Sequence, residues 1–419
     1  MSTSKNPHDF SRIALATLFL LLLAPACEDT GEPTGDTTQG AGGSGAAGGT
    51  GGTTGTAGSG GEGGSGGAGG GPAGCLPESS YAALFTLGAS DLCAVAVYEA
   101  ATTIAYQQPS WGEHGGPLLV AAGPGGGEVT LSRWSPPGSA EGAMAVTTKT
   151  IDAQIPDGAF AGAQAIDIGF RPGTLISYVG AFPDTSGELV VATDAGTDER
   201  YPMNGLFSIA VVPGAEATSG RVVHTGLSPL GDEAAGANGL HAADDCDGDL
   251  APNGGGTCAE PIQIDAWGDA SGPVVTDSAG NVIALMSNFA GDQEARFFAA
   301  EEIAEGGGAS AGAPLFTADG FGLSLAAMGP TDALEGIAAF QPSDSTTFQA
   351  LDVLYVRYSA ASGSVVASEP APLLTLKAVG APVALLTDPE GRLWAGVSIL
   401  DEQGSPVSTT FVVLARKPE

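Results

Sequence analysis

Asp245, Asp247 and Asp249 stand at alternate positions in the stretch "DDCDGDLAPNGGGTC", which runs from Asp244 to Cys258. Alternating carboxylates turn hard oxygens toward one centre, the chemistry that calcium requires at about 2.3–2.6 Å. Counting from Asp245 places Ala251 seventh, where a backbone carbonyl would serve, and Asn253 ninth. Asp244, Asp265 and Asp269 are close enough in sequence to add oxygens. Cys246 and Cys258 bracket the stretch, so a solvated acidic turn pinned by a disulfide is the competing reading.

This spacing resembles the first half of an EF-hand-type loop, which implies calcium held by Asp245, Asp247, Asp249 and Asn253. Two positions depart from that pattern. Leu250 stands where a glycine permits the sharp turn, and Gly256 stands where a glutamate would bind in bidentate fashion. Calcium held here would be a weak, structural ion, and no other cofactor is expected.

The remaining chemistry-bearing residues are sparse. His114, His224 and His241 are the only histidines after the first segment, and none forms a zinc motif. His114 lies in "SWGEHGGP" beside Trp111 and Glu113, a loop that could line a pocket; His224 ends the apolar "RVVH"; His241 precedes Asp244 by three residues. Gly63 to Gly67 fit the G-x-S-x-G nucleophile pattern, but a glycine coil cannot hold the strained strand-to-helix turn that chemistry needs. Paired-carboxylate hydrolysis has many acidic residues to draw on and nothing that selects one pair. Trp111, Trp134, Trp267 and Trp394 are candidates for a ligand face, although Trp394, inside an apolar run, reads more simply as core.

The N-terminal segment says where these residues work. Lys5 and Arg12 precede an apolar run from Ile13 to Leu23, the layout of an export signal. A helix of that length is too short for a bilayer core of about 30 Å. Cys27 closes "LAPAC", which resembles the lipobox of bacterial lipoproteins; Ala24 and Pro25 are unusual occupants. The resemblance implies removal of residues 1–26 and acylation of Cys27, palmitate included. Glu28 rather than aspartate after the cysteine resembles lipoproteins sent to the outer membrane, facing the periplasm or the cell surface. An ordinary secretory signal cut after Ala26 is the alternative.

Cysteine arithmetic agrees with export. Five cysteines less Cys27 leave four, in two local pairs, and an oxidising compartment favours Cys75–Cys93 and Cys246–Cys258. The net charge is −34, which repels phosphate and excludes nucleic acid as a partner.

Residues 27–74 form a tether: nearly half glycine, with no apolar surface to offset the entropy of ordering. Such a coil reaches roughly 35–40 Å. Residues 75–419 show short apolar runs divided by Gly, Pro, Asp and Ser turns, the texture of an all-β fold. "EARFFAAEEIAEG" is ambiguous, with helix-forming composition in a strand-like setting.

Two runs, "VVTDSAGNVIALMS" and "LLTDPEGRLWAGVS", align without gaps from Val274 and Leu385. Each predicts a hairpin in which Asp277 or Asp388 opens the turn and Gly280 or Gly391 takes the left-handed conformation. "GFRPGTLISYVG" is a looser copy. The repetition resembles β-propeller blades with D-x-x-G turns, implying six or seven blades; tandem β-sandwiches are the alternative. The last blade lacks a fourth strand, which "LCAVAVYEA" near the N-terminus would supply.

The combined expectation is a monomeric, membrane-anchored, surface-exposed lipoprotein that binds or scaffolds an unknown protein or polysaccharide. An exported propeller enzyme, such as a calcium-assisted hydrolase or lactonase, is the rival.

Overall fold

The computed structural model describes residues 74–417 except 89–90, 103–108, 113, 123–126, 156–164, 168–173, 180–185, 194–195, 205, 214–219, 227–238, 245–261, 266–269, 278, 288–291, 306–311, 320–324, 332–333, 343–349, 362–363, 370, 378–382 and 404. Among the described residues the protein is almost wholly β, in six sheets built mainly by antiparallel pairing. No described helix is long and apolar enough to cross a membrane.

The chain enters through a 3-10 turn (Glu78–Ser80), β1 (Phe85–Leu87) and β2 (Leu92–Ala100), whose partners lie far along the sequence. The first sheet joins β3 (Ser110–Gly112), β4 (Gly116–Ala122), β5 (Gly127–Ser135) and β7 (Ala145–Ile155), with the short β6 (Glu141–Ala143) diverted elsewhere. The second holds β8 (Ala165–Asp167), β9 (Thr174–Val179), β10 (Ser186–Thr193) and β11 (Gly196–Asn204). The third holds β12 (Leu206–Pro213), β13 (Gly220–Gly226), β14 (Gly239–Asp244) and β15 (Ile262–Asp265).

The fourth sheet comprises β16 (Ala270–Thr276), β17 (Val282–Ser287), β18 (Asp292–Phe298) and β19 (Ala313–Asp319), with helix α1 (Ala300–Glu305) before its last strand. The ambiguous stretch is therefore divided. Its first part pairs as β18, and the chain then turns into α1, where Glu302 accepts a hydrogen bond from the Ala299 N–H at 3.0 Å and caps the free end. The fifth sheet holds β20 (Leu325–Thr331), β21 (Leu334–Pro342), β22 (Ala350–Ala361) and β24 (Ala371–Leu376), with β1 on its outer edge and β23 (Ser364–Ala367) paired to the end of β22. The sixth holds β25 (Val383–Thr387), β26 (Leu393–Leu400) and β27 (Pro406–Arg416), followed by β2 and β6.

Contacts between sheets run in order. β3 and β4 touch β8, β9 touches β12, β12 touches β16, β16 touches β20, β20 touches β25, and β25 returns to β3. Each sheet therefore meets two neighbours, and the circuit closes.

The sixth sheet shows why such strands read as unbroken apolar runs. Along β26, Leu393, Ala395 and Val397 pack with Leu373, Leu374 and Ala326 of the fifth sheet. Trp394 packs from the other face with Leu119 and Trp134 of the first sheet. Alternate side chains serve opposite cores, so both faces must be apolar. Each buried Leu or Val contributes about 1.5–3 kcal/mol relative to exposure.

β2 supplies the missing fourth strand of the sixth sheet, pairing antiparallel with β27 from Leu92↔Arg416 to Ala100↔Thr409. Cys75 is disulfide-bonded to Cys93, the second residue of β2.

Candidate functional site

The Asp-x-x-Gly turns join the first two strands of the fourth and sixth sheets. In the fourth, Asp277 Oδ1 accepts the Ala279 and Asn281 N–H groups, both at 2.9 Å. Its Oδ2 accepts Asn281 Nδ2 at 2.8 Å and the Tyr358 hydroxyl at 2.9 Å. Tyr358 comes from β22, so this turn is fastened to the neighbouring fifth sheet. In the sixth sheet, Asp388 Oδ1 accepts the Arg392 N–H at 2.8 Å, while Oδ2 accepts Arg392 Nε at 2.6 Å and Trp394 Nε1 at 2.8 Å. Gly280 and Gly391 have φ of 80° and 77°, the left-handed conformation that costs a side-chain-bearing residue most.

Both aspartates are buried, and their oxygens are occupied. A carboxylate offers about four acceptor positions, and Asp277 uses four. Neither carboxylate is placed to take a proton from a substrate or attack one. They hold turns.

A different chemistry appears where the sixth sheet meets the first. The Trp394 ring lies 5.3 Å from Tyr98, 5.1 Å from Trp111 and 6.0 Å from Phe411. Trp134 meets Phe411 edge-on at 5.4 Å. Trp394 and Trp134 are buried, while Trp111 and Tyr98 are only partly covered. Burial raises the Tyr98 pKa above its ordinary 10.0; Arg392 nearby lowers it and Asp388 raises it. Arg392 is held between Asp388 and Glu390, with Nη2 at 3.1 Å from Glu390 Oε2. The junction thus presents two supported aromatic rings beside fixed donors and acceptors. Rings of this kind offer an apolar face to sugar or peptide while their polar edges stay wet.

The other residues singled out by sequence distribute as follows. Cys27, Asp245, Asp247, Asp249, Asn253 and the Cys246–Cys258 pair lie outside the described residues. The strands that flank the acidic stretch in sequence, β14 and β15, are paired with each other. His224 and His241 occupy opposite register positions on β13 and β14. His114 sits in the turn between β3 and β4, three residues after Trp111. Among the described residues there is no group of three or more His, Cys, Asp and Glu side chains arranged to hold a metal. Tyr98, Arg392 and Phe411 are members of the junction not singled out as site residues by sequence, although Tyr98 lies in "LCAVAVYEA" and Arg392 directly follows the turn glycine in "LLTDPEGRLWAGVS".

No family model matches the sequence, and no curated protein does. Solved structures give distant likenesses. A protein of unknown function from Dyadobacter fermentans is 11% identical, with a TM-score of 0.44, over 78% of this chain and 100% of its own. A mutant of the Aleuria aurantia lectin in complex with Fucα1-6GlcNAc is 10% identical, with a TM-score of 0.40, over 77% of this chain and 96% of its own. The Dos1 propeller is 9% identical, with a TM-score of 0.34, over 73% of this chain and 67% of its own. None of these likenesses bears on what this chain binds.

Proposed function

We propose that this protein is an exported, lipid-anchored binding module: a six-bladed β-propeller carried on a glycine-rich tether from the outer membrane. The closed circuit of six sheets supports a ring over tandem sandwiches. The "LAPAC" sequence ending at Cys27 and the glycine tract after it support the anchor.

The observation that carries the binding function is the aromatic junction. Partly exposed Trp111 and Tyr98 rest on buried Trp394, next to the Arg392 guanidinium fixed by two carboxylates. A rigid aromatic surface beside oriented hydrogen-bonding groups suits a sugar ring of a polysaccharide, since no side-chain entropy need be lost on binding. The charge of −34 disfavours strongly anionic polymers.

The test is direct. The mature chain carrying Cys27→Ser should be retained on envelope or extracellular polysaccharide, and Trp111→Ala or Tyr98→Ala should weaken retention at least tenfold. Equal retention of wild type and both variants would refute the site. Labelling with a fatty-acid analogue, lost in Cys27→Ser, tests the anchor separately.

A further inference from the structure

The N-terminal segment is fastened at several points around one seam. Cys75 is bonded to Cys93 across a separation of 18 residues, and the Leu76 N–H donates to the Ala94 carbonyl at 2.7 Å. Between these points the chain makes a detour. It forms the 3-10 turn, lays the three-residue β1 on the edge strand β24 of the fifth sheet, and returns to begin β2 in the sixth.

β2 itself is held on both sides. β27 pairs with it from Leu92 to Ala100, with one register shift between Ala94 and Ala96. On the other edge β6, an excursion from the first sheet, pairs in parallel from Val97↔Glu141 to Glu99↔Ala143. The Val97 N–H donates to the Ala140 carbonyl at 2.8 Å, and the Met144 N–H to the Glu99 carbonyl at 2.7 Å. At its entry, Lys417 N–H donates to the Asp91 carbonyl at 2.7 Å, and Arg416 pairs with Asp91 at 3.1 Å. Three sheets, the fifth, sixth and first, are thus joined by 26 residues of chain.

The two attachments answer tension differently. β1 is a three-residue ladder at one edge, so a pull reaching it through residue 76 has few bonds to break. β2 pulled from its Leu92 end slides lengthwise against β27 and β6, and the bonds of both ladders share the load. The longer, two-sided attachment resists more force than the short one-sided ladder.

We propose that the Cys75–Cys93 disulfide makes this segment a load-bearing clamp: tension on the chain before Cys75 passes directly into β2 and spares residues 76–92. The inference rests on the reading of residues 27–74 as a tether, because only a tethered domain meets such tension. Its ligand is mechanical load, and its fastener is redox-sensitive.

Single-molecule pulling on the mature chain tests it, with one handle at the N-terminus and the other in a peptide tag inserted at Gln403. That position lies in the turn between β26 and β27, at the far end of the sixth sheet, so the pull runs along the strands. The oxidised protein should yield in one high-force event. After mild reduction of the folded protein, or in the Cys75→Ser/Cys93→Ser variant, a low-force step should come first. Its added length should be about 60 Å, the extended reach of the freed loop at roughly 3.3–3.6 Å per residue. Cys246→Ser/Cys258→Ser should behave as wild type.

Identical traces before and after reduction would overturn the clamp, as would global unfolding on reduction without force. Reduction is applied to protein already folded, so a folding defect in the serine variant does not decide the matter. Absence of fatty-acid labelling at Cys27 would remove the tether reading while leaving the pulling result intact.

Discussion

The Tyr358 hydroxyl donates to Asp277 Oδ2 at 2.9 Å across 81 residues of sequence, tying β22 of the fifth sheet to the first turn of the fourth. In the sixth sheet the equivalent acceptor, Asp388 Oδ2, takes its aromatic donor from Trp394, six residues away on its own strand. One turn is knotted to its neighbour and the other to itself. The sixth sheet makes its link to the fifth elsewhere, through Thr387 Oγ1 donating to the Ala327 carbonyl.

Tyr358→Phe should therefore destabilise the protein by about 1–3 kcal/mol, the cost of leaving a buried charged acceptor short of one donor. Urea unfolding reads this as a lowered midpoint at unchanged slope. An unchanged midpoint would mean that the link between these sheets carries no stability.

Gly280→Ala and Gly391→Ala should each cost about 1–2 kcal/mol, because a Cβ crowds the following carbonyl at φ of 80° and 77°. Asparagine at either position should cost less, since it adopts this conformation more readily. Equal losses for alanine and asparagine would point to packing in place of backbone conformation.

Ser398 and Thr409 face each other across β26 and β27, fully buried, and neither hydroxyl has a hydrogen-bond partner among the described residues. Removing both hydroxyls, as Ser398→Ala with Thr409→Val, should raise stability by about 1 kcal/mol, because two desolvated groups disappear together. A lowered melting temperature would show that the hydroxyls are satisfied in solution.

Alkaline pH should loosen the seam. Burial raises the Tyr98 pKa above 10.0, so the folded state holds its phenolic proton more tightly than the unfolded chain. That contribution is complete below the ordinary value and is lost as pH rises through the folded one. Tyr81 is shifted in the same direction, by burial and then by Glu78. Tyr98→Phe should flatten the fall in stability above pH 10.0, measured by urea unfolding across the range. An unchanged slope would refute the assignment to Tyr98.

How much of this is visible in the residues alone follows from the range of each interaction. The Asp and Gly of each turn lie three apart, and their bonds are local, so composition and spacing reveal them. The sixth sheet's need for β2 is equally legible, because a three-stranded sheet with an open apolar edge demands a partner. The Tyr358 donor is not, since nothing near Tyr358 signals a turn 81 residues earlier. β6 escapes for another reason: its three residues are all exposed and carry no periodic apolar pattern. Trp394 reads as core from its neighbours, but its Nε1 bond to Asp388 depends on turn geometry that hydropathy does not record.

Asp91 and Arg416 meet across 325 residues, which fixes when the fold can finish. During synthesis β2 is made before every other strand of its sheet and must wait for its antiparallel partner until β27 has emerged. Closing so long a loop costs about 5 kcal/mol of chain entropy before any ladder bond returns it. The circuit of sheets cannot close before β27 is made, so delay in closure, more than any weakness of the finished fold, is where chaperones and proteases would find it.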